Sequence, residues 1–296
     1  MEPTTRLTLP DGRLLAVDDV GDPAGWPVVY LHGTPDSRLA RHPDDDLAAA
    51  CGVRLLAVDR PGSGGSTPHP EATLCSIGRD IAALLDHLDL PGAALLGWSA
   101  GGLFALAAAT VLGPRAQALS LVGPVPPVEA YADPAVVAAL GPARRHFVEM
   151  AAELPAQELG EELAPYLVPE PLSTAIAVEH VLEGAGDVGR AELGSVPGAT
   201  EHLALALAES VAAGFGGLAH DVALQLEPDL DLTAVEAPVR TTHGTEDPMS
   251  PPAVGAWLHV HLPRVTVEVV AGAGHHLIFP RWTSFLTGLV ADARGG

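Results

Sequence analysis

Only two cysteines, Cys51 and Cys75, occur in 296 residues, and each sits in an apolar stretch. That excludes a disulfide framework and leads us to expect two reduced core residues in a cytoplasmic protein. Basic side chains are also scarce: 15 Lys+Arg stand against 37 Asp+Glu, for a formal net charge of −22. Such a chain has no basic footprint for a phosphate backbone, so nucleic acid and anionic membrane surfaces are excluded as partners, and the acidity is read as serving solubility. No apolar run approaches the roughly 20 residues of a membrane span. Met1–Thr5 carry neither the basic nor the apolar region of a secretory leader. Internal repeats are absent. The histidines show no paired ligand spacing, so no metal and no cofactor are expected.

What the chain has is a large apolar fraction, 48%, enough for one sizeable core. Its Ala-, Gly- and Pro-rich composition is associated with high-GC bacterial genomes. The organising stretch is Ala93–Leu103. An apolar run of strand length leads into Gly97-Trp98-Ser99-Ala100-Gly101-Gly102, and an Ala-rich helical run follows to about Leu112. A serine at a sharp strand-to-helix turn is held in strained geometry that lifts its Oγ clear of the sheet, beside a helix N-terminus. The bare Gly-x-Ser-x-Gly pattern is expected by chance roughly 0.1 times in this composition, so its strand–turn–helix context carries the signal.

Around that stretch the order is regular. Arg6–Leu9 and Arg13–Asp19 read as a hairpin, and Pro27–Leu31 and Val53–Val58 as buried strands. Residues 73–89 form an amphipathic helix, and Ala118–Val122 another strand. His32-Gly33-Thr34-Pro35 and the Gly-rich loop from Asp59 to Ser66 follow two of these strands. The second loop lacks the Gly-Lys-Ser/Thr ending of a phosphate-binding loop and is read as structural. From Val125 to about Glu236 no strand pattern appears, only helical stretches near 134–153, 156–167, 172–183, 199–213 and 216–226. Strands return at 237–242 and Val265–Val270, separated by a helix from about Pro252 to His261. Each ends in a loop rich in polar residues: His243-Gly244-Thr245-Glu246-Asp247 and Gly272-Ala273-Gly274-His275-His276. A last amphipathic helix carries Trp282, Phe285, Leu286 and Leu289.

This is the pattern of a mostly parallel, eight-stranded α/β sheet flanked by helices. We divide it into a core of residues 1–124 and 237–296 and an inserted helical cap of residues 125–236. Ligands of such sheets bind off the C-terminal strand ends, where the loops at His32, Asp59 and Ser99 lie.

The motifs together resemble those of a cap-containing α/β-hydrolase: an oxyanion loop at His32–Pro35, a D-x-P-G-x-G-x-S-like loop at Asp59–Ser66, a nucleophile elbow at Ser99, then the acid and histidine loops in the order Ser…Asp…His. The resemblance implies Ser99 as nucleophile, His275 as base and Asp247 as the acid that orients it. Glu246 adjoins Asp247 and His276 adjoins His275; the family's spacing selects Asp247 and His275. The resemblance also implies that the backbone N–H groups of Thr34 and Ala100 form the oxyanion hole. Substrate-contact candidates are His32, Trp98, Tyr131, Phe147, Met150, Tyr166, Phe215 and His276, although side chains such as the five in the cap are more often plain cap core.

The expected function is hydrolysis of a carboxylic ester or lactone of a small to medium, largely apolar molecule through an acyl-enzyme. Serine rather than aspartate at the elbow argues against epoxide or haloalkane hydrolysis. Acyl transfer, cyclisation, perhydrolysis and aminopeptidase-like amide hydrolysis stay open, the last with Glu161 and Glu162 as possible amine ligands. A non-catalytic ligand-binding protein is the remaining alternative. The sequence leaves the oligomeric state open.

Overall fold

In the computed structural model, residues 5–170, 172–227 and 230–295 are described. Eight strands form one sheet: β1 (Thr5–Thr8), β2 (Leu14–Gly21), β3 (Trp26–Leu31), β4 (Val53–Val58), β5 (Ala93–Trp98), β6 (Ala116–Val122), β7 (Val239–Gly244) and β8 (Val265–Val270). Their spatial order is β1-β2-β4-β3-β5-β6-β7-β8. Pairings of β1 with β2 and of β2 with β4 are antiparallel; all the others are parallel. The helices are α1 (Asp46–Ala50), α2 (Leu74–His87), α3 (Ala100–Leu112), α4 (Pro134–Ala139), α5 (Pro142–Glu153), α6 (Ala156–Leu167), α7 (Thr174–Gly194), α8 (Ala199–Ser210), α9 (Gly216–Leu224), α10 (Pro252–His261) and α11 (Trp282–Gly295).

Strand alternation builds the two layers. Val29, Leu31, Leu56, Leu95 and Leu121 point to the face covered by α2, α3 and α10. Their neighbours Val28, Tyr30, Leu55, Leu96 and Val122 point to the face covered by α1 and α11. β5 is buried at every position, as befits a central strand packed on both sides. α2 begins with a reciprocal cap, in which Thr73 Oγ1 accepts from Ser76 N–H and Ser76 Oγ accepts from Thr73 N–H.

Between β6 and β7 the described residues form helices and no strand. These helices have an apolar cluster of their own, centred on Ala164, Val168, Leu207, Leu218 and Val222. Leu193, Val196, Ala199, Leu203 and Ala206 instead join the core under Phe279 and Trp282.

Three expectations are corrected here. The single helix anticipated over 134–153 is two, because Leu140 and Gly141 are extended ahead of Pro142. The helix anticipated over 172–183 runs on as α7 to Gly194, kinked at Gly186, whose φ of 64° and ψ of −175° are open to glycine without strain. Both cysteines are free but half-buried, so neither is a core residue.

Candidate active site

Ser99 sits between β5 and α3 with φ 55° and ψ −125°. It and Asp89 are the only non-glycine residues at positive φ among the described residues. Two glycines make the turn possible. A Cβ on Gly97 would lie 2.4 Å from Gly101 O, and one on Gly101 would lie 2.0 Å from Leu31 O. Side chains at either position would drive α3 away from the sheet.

Asp247 and His275 come from the loops after β7 and β8. His275 Nδ1–H donates to Asp247 Oδ2 at 2.8 Å. The other carboxylate oxygen of Asp247 accepts the N–H groups of Met249 (2.8 Å) and Ser250 (3.0 Å), which fixes the carboxylate in its turn. Burial works against the Asp247 charge. The His275 charge, its hydrogen bond and the two backbone donors outweigh it, and the carboxyl is held below the usual carboxylate range. Glu246, the sequence neighbour, is exposed and bonds to Thr245 instead. A Cβ on Gly123 would come within 3.2 Å of both Asp247 Oδ2 and His275 Nδ1, so the pair is seated against bare backbone.

Ser99 and His275 line one cleft of about 320 Å³. Thr34, Asp36 and Trp98 belong to the same floor, while Tyr166 and Leu167 of α6, Val181, Gly184 and Ala185 of α7 and Leu203 and Leu207 of α8 form the opposing wall. No hydrogen bond joins Ser99 Oγ to another described residue, and neither the Thr34 nor the Ala100 N–H donates to one. Two free donors thus flank the serine, one of them at the N-terminus of α3. Trp98 is 3% exposed and donates from Nε1 to His275 O at 2.9 Å, so it braces the histidine loop as well as lining the cleft. A second cleft, of about 220 Å³, lies on the far side of His275 and shares His276, Gly184 and Met249 with the first.

The remaining sequence candidates divide. Tyr166 and His276 line the Ser99 cleft. His276 Nδ1 is buried without a hydrogen-bond partner; burial and the neighbouring His275 charge lower the ring to about 3, so it is neutral. His32 does not reach the cleft. It is fully buried, donates from Nδ1 to Gly33 O and accepts at Nε2 from the Arg60 N–H. Tyr131 and Phe147 pack around the Arg144 guanidinium. Met150 is half-buried on α5, outside the cleft lining, and Phe215 lines a separate surface concavity with Val211. Glu161 and Glu162 are exposed on α6 and are not among the residues that line the cleft.

The sequence reading missed Asp36, Glu192 and Met249. Asp36 follows a proline and reads as a turn residue, and Glu192 is one acid among many in a helical stretch.

Comparison with known proteins bears on the fold. Residues 27–158 match the family model described as alpha/beta hydrolase fold. The chain has the α/β-hydrolase fold. An acetyltransferase component of the acetoin cleaving system of Pseudomonas putida is 36% identical over 115 residues, 38% of this chain and 30% of that protein. A non-heme chloroperoxidase of Streptomyces lividans is 36% identical over 132 residues, 43% of this chain and 47% of that protein. The chain thus spans less than half the length of the curated relatives it matches. An esterase from Rhodococcus sp. ECU1013 superimposes with a TM-score of 0.70 at 21% identity, covering 99% of both chains. The α/β-hydrolase frame therefore extends from β1 to α11. No helix of the described residues is long and apolar enough to cross a membrane.

Proposed function

We propose that this chain is a serine hydrolase that cleaves a small carboxylic ester or lactone through an acyl-enzyme. The observation that carries the reading is the 2.8 Å bond from His275 to Asp247 in a cleft shared with an elbow serine at φ 55°. Free serine is a weak nucleophile at neutral pH and needs an adjacent base. In this reading His275 Nε2 takes the Ser99 proton as Oγ attacks the carbonyl carbon. Asp247 fixes the Nδ1–H tautomer and stabilises the imidazolium. The N–H groups of Thr34 and Ala100 bind the developing oxyanion, each worth about 3 kcal/mol by analogy with measured donors. The imidazolium then protonates the leaving alcohol, and water activated by the same imidazole releases the acid.

Residues 125–236 act as a cap over this chemistry. Leu203, Leu207 and Val181 supply an apolar wall, which supports a short aliphatic acyl group.

The test is hydrolysis of p-nitrophenyl esters of increasing acyl length by the wild type and by Ser99→Ala. Turnover by the wild type with a loss of several orders of magnitude in the variant supports the triad. Equal background rates in both proteins overturn the reading.

A further inference from the structure

Asp36 stands out among the buried acids. It lies just beyond β3, is 9% exposed and lines the cleft beside Ser99, yet it makes no hydrogen bond or ion pair among the described residues. The other buried aspartates (Asp18, Asp59, Asp80, Asp221 and Asp247) each face an arginine or His275. The Asp36 oxygens are not among the polar atoms sealed from solvent without a partner, so the unpaired carboxylate opens onto the cleft, where a bound group can complete it.

Among the described residues no cation forms a hydrogen bond or ion pair with Asp36. Arg60, whose charge reaches Asp36, is engaged by Asp221 through Nε (2.6 Å) and Nη2 (2.8 Å), and by the carbonyls of His32 and Gly33. The chain contains no lysine, and no arginine lines the cleft. Burial pushes the Asp36 carboxyl well above the usual carboxylate range, an effect that Arg60 offsets only in part and Asp221 reinforces.

Position restricts what the partner can be. Asp36 Oδ2 and Ser99 Cβ lie 3.0 and 3.3 Å from the one point that a Cβ on Gly33 would occupy. The carboxylate and the serine are therefore neighbours across a bare glycine. A group held by Asp36 while Ser99 attacks a carbonyl sits one or two carbons from that carbonyl.

We propose that Asp36 anchors a cationic amine on the acyl part of the substrate, so that the cleft takes esters of α- or β-amino acids with short aliphatic side chains. This rests on the hydrolase reading of the same cleft. On binding, the ammonium pairs with an ionised Asp36, and any proton the carboxyl carried leaves to solvent. The scissile steps are unchanged: Ser99 Oγ forms the acyl bond, the alcohol departs with the Ser99 proton relayed by His275, and water returns the free amino acid.

The experiment compares L-alanine methyl ester with methyl isobutyrate, the same shape with a methyl in place of the ammonium. The ratio of their kcat/KM values is measured in the wild type, Asp36→Asn and Asp36→Ser, with folding of each variant checked by circular dichroism. Intrinsic ester reactivity cancels when the ratio in a variant is divided by that in the wild type. We expect the preference for the cationic ester to fall at least tenfold in both variants; an unchanged preference in folded variants overturns the proposal. The same two esters are then titrated calorimetrically into Ser99→Ala, with and without Asp36→Asn. Tighter binding of the cationic ester that disappears with Asp36→Asn supports the anchor even if the wild type hydrolyses neither, in which case the hydrolase reading alone falls. Equal affinities for the two esters in Ser99→Ala overturn the anchor.

Discussion

Glu192 grips the backbone on both sides of His275. From α7, its Oε1 accepts the Gly274 N–H at 2.7 Å and its Oε2 accepts the His276 N–H at 3.0 Å. Burial raises the Glu192 carboxyl while the two N–H donors pull it back. A helix of the proposed cap thereby sets the position of the proposed base without touching its ring. Glu192→Ala is expected to lower kcat by about 10²-fold, the scale of a misplacement near 1 Å at a reacting group, with little change in KM. Glu192→Gln, which keeps one carbonyl oxygen, should lose less. Steady-state kinetics that show KM rising with kcat unchanged would contradict this positioning role.

Asp247→Asn offers an amide where His275 needs an acceptor, and favours the wrong tautomer. The expected loss in kcat is about 10⁴-fold, as in other triads of this design. Folding should survive, because the side-chain oxygen that receives the Met249 and Ser250 N–H groups is retained. Parallel assays of Asp247→Asn and Glu246→Gln separate the two neighbours; a comparable loss in the Glu246 variant would reassign the acid.

The glycines of the elbow and of α11 should respond in opposite directions. A Cβ on Gly101 meets Leu31 O at 2.0 Å and His32 O at 2.6 Å, both backbone atoms. Gly101→Ala is therefore expected to cost about 3 kcal/mol or more. Gly288 lies inside α11 with nothing within 4 Å of its would-be Cβ. Gly288→Ala should stabilise by about 0.5–1 kcal/mol through helix propensity. Urea unfolding midpoints of the two variants check both signs.

Acid should weaken the fold partly through His276. Burial and the His275 charge lower its ring to about 3, below the ordinary value of 6.5. Between those two pH values the unfolded chain binds a proton that the folded chain refuses, so stability is present above 6.5 and falls as the pH drops. The slope from one such group is about 1.4 kcal/mol per pH unit. Asp36, Asp59 and Glu192 are raised and act with the opposite sign, so the net wild-type slope is not the readout. The readout is the difference between wild type and His276→Gln, whose unfolding free energies should converge as the pH is lowered from 7 to 4. Parallel pH profiles would show that His276 titrates normally in the fold.

Much of this was legible because local chemistry and global fold agree. β4, β8, α6 and α10 lie where hydrophobic period and proline placed them. The elbow was legible because only glycine fits at Gly97 and Gly101; Asp247 and His275 were singled out through the family resemblance, and the structure brings their side chains together. Asp36 and Glu192 were not legible, since what distinguishes them is the absence or presence of partners distant in sequence. The course of α7 was hidden for a different reason. Gly184 and Gly186 read as a helix end, whereas packing carries the helix through the kink. The amine ligand sought among the exposed acids of α6 corresponds, in our proposal, to a carboxylate on the core side.

The seam between the loop after β4 and α9 has a mechanical consequence. A Cβ on Gly62 would lie 2.6 Å from Gly217 Cα, so two backbones touch there with no side chain between them. Nearby, Arg60 and Asp221 are joined by a buried two-pronged ion pair whose separation would strand two charges. The proposed cap is thus tied to the core along its α9 edge, and a second tie runs from Glu192 and Leu193 of α7 to the loop after β8 and the core beneath it.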